Sequence, residues 1–463
     1  MAMSSVNAHA SKQGLAEARS IIASCSHFGF CTATCPTYAL THDENESPRG
    51  RIELIRIMLD SAQPPTSRTV AHLDSCLSCL ACVSTCAVKV DYMHLIDHAR
   101  AHIERTYRRV WTDRLLRRLV AETVSNRHYL RVMLACGRFI SRFSGVMPGR
   151  LRDLLRTIPR SVSRNQGDVK VGRYPAVGEK RYRVALLAGC AQRVLAPEIN
   201  AAAVRLMNRL GCEVVIARNA ECCGALNLHL GRTAEGQCAA RKNIQAWMSE
   251  MRRGAFDAIV VTASGCGTAI KDYGHVFQDD PQYQESARQI AALTVDVSEF
   301  LDRIGFRAGA KGRRFKVAYH DACSLRNGQR ITRQPRQLLR LAGYSVVDVP
   351  EAHFCCGSAG IYNLLQPATA RQLGTRKAGH IESTGAAIMA VGNVGCIAQL
   401  ARYSPIPVVH TVELLDWAAG GPMPPSLLGK ELQELREVDA EVEAAGGALP
   451  GEVMVDDTGI AVW

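Results

Sequence analysis

The chain has 463 residues, 56 Lys+Arg against 43 Asp+Glu for a net charge of +13, and 18 cysteines. This length suits two to four domains of about 150 residues, and the lack of a long uncharged apolar run argues against a membrane-spanning helix. With no basic-then-apolar leader at its start, the chain reads as cytoplasmic, and its clustered cysteines as metal or cluster ligands rather than disulfides.

Residues 1–20 are small and polar, then weakly helical. The first cysteine run is Cys25, Cys31 and Cys35, with Pro36 after it and Phe28 where a fourth cysteine is expected. Ser47-Pro48 offers an N-cap and a proline at the first helical position, opening an apolar-rich helix that stops before Pro64-Pro65. A further helix is predicted to carry Val70 to Leu80 into the second run, Cys76, Cys79, Cys82 and Cys86. That run is a complete C-x2-C-x2-C-x3-C. In two-cluster ferredoxins the fourth cysteine of such a run ligates the other cluster. Cys35, Cys76, Cys79 and Cys82 are therefore expected to hold one [4Fe-4S] cluster, and Cys25, Cys31 and Cys86 a second.

A phenyl ring cannot ligate iron, so Phe28 leaves the second site one thiolate short. A three-thiolate [3Fe-4S] cluster is favoured; a [4Fe-4S] cluster using His27 or water, or a lost cluster, are the alternatives. Structural zinc fits the complete run poorly, since it takes two separated C-x2-C pairs. The predicted unit is a helical ferredoxin domain over 15–100.

Between Arg100 and Arg183 stand 19 Arg and 2 Lys against 6 acidic residues, more than the whole excess of the chain. This block, 101–180, reads as a basic amphipathic helix over Trp111 to Phe143, packed on the ferredoxin with its Arg face solvated, followed by a linker over 144–180. A partner or a membrane surface could dock there. No nucleic-acid motif accompanies the charge, so nucleic acid is not an expected partner.

The second half repeats itself. Cys190 ends a predicted strand, Cys222-Cys223-Gly224 follows after 32 residues, and Cys266 closes the set; Cys323, Cys355-Cys356-Gly357 and Cys396 do the same, offset by 133, 133 and 130. Strands alternating with helices imply two α/β domains, 181–310 and 311–420, with each cysteine where a parallel sheet places ligands. Vicinal cysteines suit a multinuclear centre in which each thiolate takes a different metal, and the following glycine would let backbone approach it. Iron–sulfur or zinc remains open for these sets. Cys136, Cys212 and Cys238 read as ordinary core residues, and His229, His320, Asp321 and His353 as structural neighbours of ligands. Residues 421–463, with nine acidic residues against Lys430 and Arg436, read as a short charged helix and a disordered tail. Nucleotide-binding and hydrolase motifs are absent, so any flavin belongs to a partner.

A helical two-cluster ferredoxin followed by two CCG domains (α plus α/β) resembles the iron–sulfur subunit of bacterial glycolate oxidase (glycolate dehydrogenase). The resemblance is carried by Gly29 to Tyr38, Ser47 to Ile52, Cys355 to Pro367 and Gly392 to Cys396, and spans about 15–420. It implies an electron-transfer subunit that takes electrons from an FAD-containing dehydrogenase subunit and passes them toward a quinone or similar acceptor, which gives the Arg-rich segment a task, docking an acidic face of the flavoprotein or the inner membrane surface. D-lactate, glycerol 3-phosphate or 2-hydroxyglutarate dehydrogenases are alternative partners, and a CCG-type disulfide or quinone reductase or a zinc scaffold are alternative classes. The related heterodisulfide reductases end their CCG sets in C-x-x-C, which neither Cys266 nor Cys396 does.

Overall fold

The computed structural model describes residues 14–141, 169–308 and 315–432. The expected acidic tail beyond 432 and most of the linker lie outside them. At the N-terminus a helix over 14–23 leads into Phe30–Ala33, Pro36–Thr41, Pro48–Asp60, Ser67–Asp74, Ala81–Thr85 and Tyr92–Thr106. Ser47 Oγ accepts from Gly50 N at 3.0 Å ahead of Pro48, so the third of these helices begins where its capping chemistry requires. Ile55, Leu73, Leu95, Ile96 and Ile103 form a small core among them.

The helix expected over Val70 to Leu80 ends instead at Asp74. Ser78 and Leu80 take φ of +50° and +60°, which no right-handed helix accommodates. The cysteine runs therefore lie on turns and in short helices, Cys31 within Phe30–Ala33 and Cys82 within Ala81–Thr85, rather than inside longer ones.

The basic segment is two helices, Trp111–Ser125 and Arg127–Ser141, broken at Asn126, whose side chain accepts from His128 N at 2.9 Å. Its Arg face is not simply solvated. Arg109 and Arg117 turn inward onto the partly buried Asp74 at 2.7 and 2.8 Å, because a carboxylate drawn out of water requires cations, while Trp111, Leu115 and Leu119 are exposed.

Two sheets follow. The first has the order β1 (Gly172–Tyr174), β3 (Cys212–Ile216), β2 (Tyr182–Leu187), β4 (Ala258–Val261), β5 (Thr294–Asp296). The second has β7 (Ser345–Asp348), β6 (Lys316–His320), β8 (Ile388–Val391), β9 (Val408–His410). All pairings are parallel except β1 with β3. Once β1 is set aside, the two orders coincide strand for strand. Even the last helix of each copy opens alike, with capping boxes Asp296/Glu299 and His410/Glu413.

One apolar core runs through both copies, joining Val184, Leu206 and Phe300 to Val317, Leu338 and Trp417. Helix Pro197–Arg209 of the first copy packs on Thr411–Ala418 of the second, and Arg205 and Arg209 neutralise buried Asp416 between them. Beyond Gly420 a 3-10 turn, Pro425–Leu427, is anchored by buried Leu427, and most of the charged stretch expected to form a short helix lies outside the described residues.

Candidate metal centres

Cys35, Cys76, Cys79 and Cys82 line one cleft together with Arg51 and Tyr92. Cys35 arrives at the start of helix Pro36–Thr41, and the other three come from the turn before and the first residues of Ala81–Thr85. Burial pushes the Cys79 and Cys82 thiols well up, so each keeps its proton unless a metal replaces it. Arg51 lies beneath them, 1% exposed, bonded to His72 O at 2.8 Å, Ser75 Oγ at 2.8 Å, Thr37 Oγ1 at 3.0 Å and Glu46 Oε2 at 2.5 Å. Its Nη1 stands 3.9 Å from Cys35 Sγ, and Tyr92 Oη 3.8 Å from Cys76 Sγ. Four convergent thiols over a buried cation suit an anionic cluster.

Beside this cleft, Phe30–Ala33 packs on Ala81–Thr85, tied by Thr85 Oγ1 to Thr34 Oγ1 at 3.2 Å. Cys31 sits among Cys25 and Cys35; burial first, then the neighbouring thiols, raise its pKa. Cys25 and Cys86 pack against the same small core. Phe28 does not enter that core: it is 63% exposed and lies 6.3 Å from the equally exposed Phe30 ring. Gly29 takes φ +86°, a left-handed conformation that favours glycine.

The repeated cysteines gather in both copies at the carboxyl ends of the parallel strands. In the second, Cys323 Sγ is 3.8 Å from Cys355 Sγ, and Cys356 lies within reach of Cys396. In the first, Cys190 meets Cys222, and Cys223 meets Cys266. The backbone N–H after each pair donates to its first thiol, Gly224 to Cys222 at 3.5 Å and Gly357 to Cys355 at 3.4 Å. These glycines take φ of +88° and +85°, and an added Cβ would strike Gly236 O at 2.4 Å or Ala370 O at 2.8 Å. What presses on each glycine is the long helix behind it, Thr233–Met251 or Pro367–Glu382.

The two surroundings differ. Asn243 and Tyr273 hold the Cys222 and Cys223 carbonyls at 2.9 and 2.8 Å. At the second set stands Lys377, 2% exposed and bonded to Glu351 O at 2.5 Å, with its charge near Cys356 and Cys355. His320 is completely buried, and burial lowers its pKa to about 3. Asp321 is occupied by Arg336 at 2.6 Å and Arg326 at 3.3 Å, His229 by Asp97 at 3.1 Å, and His353 packs on Phe354.

Of the three cysteines outside the sets, Cys212 is buried in the core, but Cys136 and Cys238 are exposed, because both fall on outer helix faces that the sequence does not mark. Reading the sequence singled out neither Arg51 nor Lys377, since each shares its helix with other basic residues, Arg49 and Arg56 or Arg371 and Arg376. Asn327, which bridges to the ferredoxin run, carries no sequence signal.

The first cleft also meets the second repeat. Leu77, Cys79 and Ala81 share one apolar cluster with Cys355, Tyr362 and Leu373, with Cys323 packed against it. A helical dicluster unit set against paired cysteine-rich α/β units defines an iron–sulfur electron-transfer protein. The family description "4Fe-4S dicluster domain" matches residues 24–90, and the cysteine-rich CCG domain matches 184–271 and 317–401. The glycolate oxidase iron-sulfur subunit of Escherichia coli is 38% identical over 87% of this chain and 95% of its own. A probable glycolate oxidase iron-sulfur subunit of Bacillus subtilis is 30% identical, covering 86% of this chain and 94% of its own. The chain belongs to the glycolate oxidase iron–sulfur subunit family. Lactate utilization protein A of Geobacillus kaustophilus is 30% identical but spans 50% of this chain and 98% of its own. A hypothetical protein of Helicobacter pylori has the same fold, at TM-score 0.54 and 10% identity, covering 86% of this chain and 72% of its own.

Proposed function

We propose that this chain relays electrons from an FAD-containing dehydrogenase subunit that oxidises glycolate, a 2-hydroxy acid, toward a quinone or similar acceptor. The observation that carries the reading is the burial of Cys79 against Cys323 and Cys355, which runs the ferredoxin thiols directly into the second repeat. Glycolate is favoured over lactate because the glycolate relatives match 86–87% of this chain and the lactate relative 50%.

In this reading Cys35, Cys76, Cys79 and Cys82 hold a [4Fe-4S] cluster, and Cys25, Cys31 and Cys86 a [3Fe-4S] cluster. The sets Cys190, Cys222, Cys223, Cys266 and Cys323, Cys355, Cys356, Cys396 hold iron–sulfur centres or zinc. Bound there, the clusters supply one-electron carriers between a two-electron flavin and the acceptor. The chain's own residues supply the rest. Arg51 offsets negative charge at the first site, Tyr92 and Ser78 N–H reach the Cys76 sulfur, and the apolar wall of Leu77, Ala81 and Leu373 keeps water from the path.

Among the described residues no helix is long and apolar enough to cross a membrane. Exposed Trp111, Leu115 and Leu119 beside exposed Arg114 and Arg118 support peripheral contact of this helix with an anionic membrane surface. The test is anaerobic co-purification: the associated flavoprotein should be bleached by glycolate, and the chain should contain iron and sulfide. Bleaching by D-lactate and not by glycolate would transfer the assignment to the lactate class, and zinc without iron would remove electron transfer altogether.

A further inference from the structure

The two repeats diverge three residues before their leading cysteines. The first has Leu187 there, closing β2 as part of an apolar core. The second has His320, the last residue of β6. His320 is 1% exposed, and neither Nδ1 nor Nε2 has a hydrogen-bond partner among the described residues. A neutral imidazole carries one donor and one acceptor, and burying both unmet is costly. A β-strand terminus that needed only an apolar plug could have kept leucine, as the first copy does.

The ring is aimed at thiols. One of its nitrogens, Cys356 Sγ and Cys396 Sγ all lie within 4.8 Å of one another, and all three residues are buried. Tetrahedral coordination at about 2.0–2.3 Å would bring such atoms to about 3.3–3.8 Å apart, a closure that small side-chain rotations supply. Asn393 Nδ2 already lies 3.5 Å from Cys396 Sγ, and the neighbouring carboxylate, Asp321, is engaged by Arg336 and Arg326. Cys323 and Cys355 form the other half of the same set.

We propose that His320 is a metal ligand, binding through a ring nitrogen alongside Cys356 and Cys396, so that the second set is a mixed imidazole–thiolate centre while the first is built from thiolates. On binding, two thiols give up their protons to solvent and the imidazole contributes a lone pair, with no change in oxidation state. The same donors suit a zinc ion or an iron of a cluster. In either case imidazole in place of thiolate leaves the centre less negative, which for iron raises its potential above that of the first set. The inference rests on reading the second set as metal-bearing, and the experiment separates the two.

The full chain, purified anaerobically, is assayed for iron and zinc and examined by pulsed electron paramagnetic resonance for 14N coupling and by zinc X-ray absorption for an imidazole shell. The wild type should show nitrogen ligation by one of these. His320→Leu, which installs the residue of the first copy, should lose it and release metal to a chelator at least about tenfold more readily. His320→Cys should retain metal without the nitrogen signal, and decides the matter alone if the leucine variant does not fold. A wild-type second set that holds metal with no nitrogen ligand, or a nitrogen signal that survives both substitutions, overturns the role of His320. A wild type whose metal content is unchanged when Cys356 and Cys396 are both replaced by serine overturns the metal reading itself, and this proposal with it.

Discussion

Asn327 Nδ2 donates to the Cys79 carbonyl at 2.9 Å, while its Oδ1 accepts from Ser84 Oγ at 2.9 Å. One side chain of the second repeat thus holds both ends of the turn carrying Cys79 and Cys82, across a gap of 248 residues in sequence. Tyr362 makes a second tie, donating to Ser75 O at 3.0 Å.

Replacing Asn327 by Ala should therefore loosen the seam without touching a thiol. The buried Cys79 carbonyl loses its donor, at a cost of about 1–3 kcal/mol. Iron content should stay at the wild-type level while electron transfer between the ferredoxin and the second repeat slows, read by stopped-flow reduction. Wild-type rates in a destabilised variant would show that the seam supports the fold and not the electron path.

Arg51 is the counter-charge of the first site. Arg51→Met removes a cation that is 1% exposed and leaves Glu46 without it, and breaking such a buried pair costs about 3–5 kcal/mol. The [4Fe-4S] potential should fall, because a positive charge near Cys35 favours the more negative, reduced state. Arg51→Lys should recover part of that potential even where stability stays low. Redox titration followed by electron paramagnetic resonance checks both, and equal potentials in Met and Lys variants would count against a charge effect.

Much of the α/β half was legible because its repeat is written in spacing: cysteines offset by 133, 133 and 130 fall just beyond equivalent strand ends. Strand β1 was not legible. Its three residues, Gly172–Tyr174, are too short to show alternation, and they pair antiparallel to β3 through the fold alone. The inward turn of Arg109 and Arg117 was equally hidden, since the partly buried carboxylate that draws them, Asp74, lies on another helix. His320 was visible as a residue and not as a site, because its lack of partners is a property of the packed interior.

At the incomplete run, Phe28→Cys should restore a fourth thiolate. In the reading proposed above, Cys25, Cys31 and Cys86 would give a [3Fe-4S] cluster its three ligands, and the exposed Phe28 ring is not wedged in the core. Iron should rise by about one per chain, and the [3Fe-4S] resonance of the oxidised protein should give way to a [4Fe-4S] resonance on reduction. A wild type without any [3Fe-4S] resonance would sink the assignment before the variant is made.

The seam between the ferredoxin and the first repeat should respond to pH through His94. This imidazole bonds Asp91 at 2.5 Å and Asp272 at 2.9 Å and stacks on His275 at 3.5 Å. Burial disfavours its charge, but the two carboxylates outweigh it and raise its pKa to about 10. His275 moves the other way, lowered by burial and by the charge on His94, so the stacked pair carries a single positive charge. A pKa raised above the unfolded value of about 6.5 contributes stability that is complete below 6.5 and lost as pH climbs toward 10. Thermal unfolding of the full chain should therefore shift to lower temperature across that window. His94→Gln, which keeps a donor toward Asp272 but cannot titrate, should flatten this part of the profile, whereas an unchanged slope would place the pH dependence elsewhere in the fold.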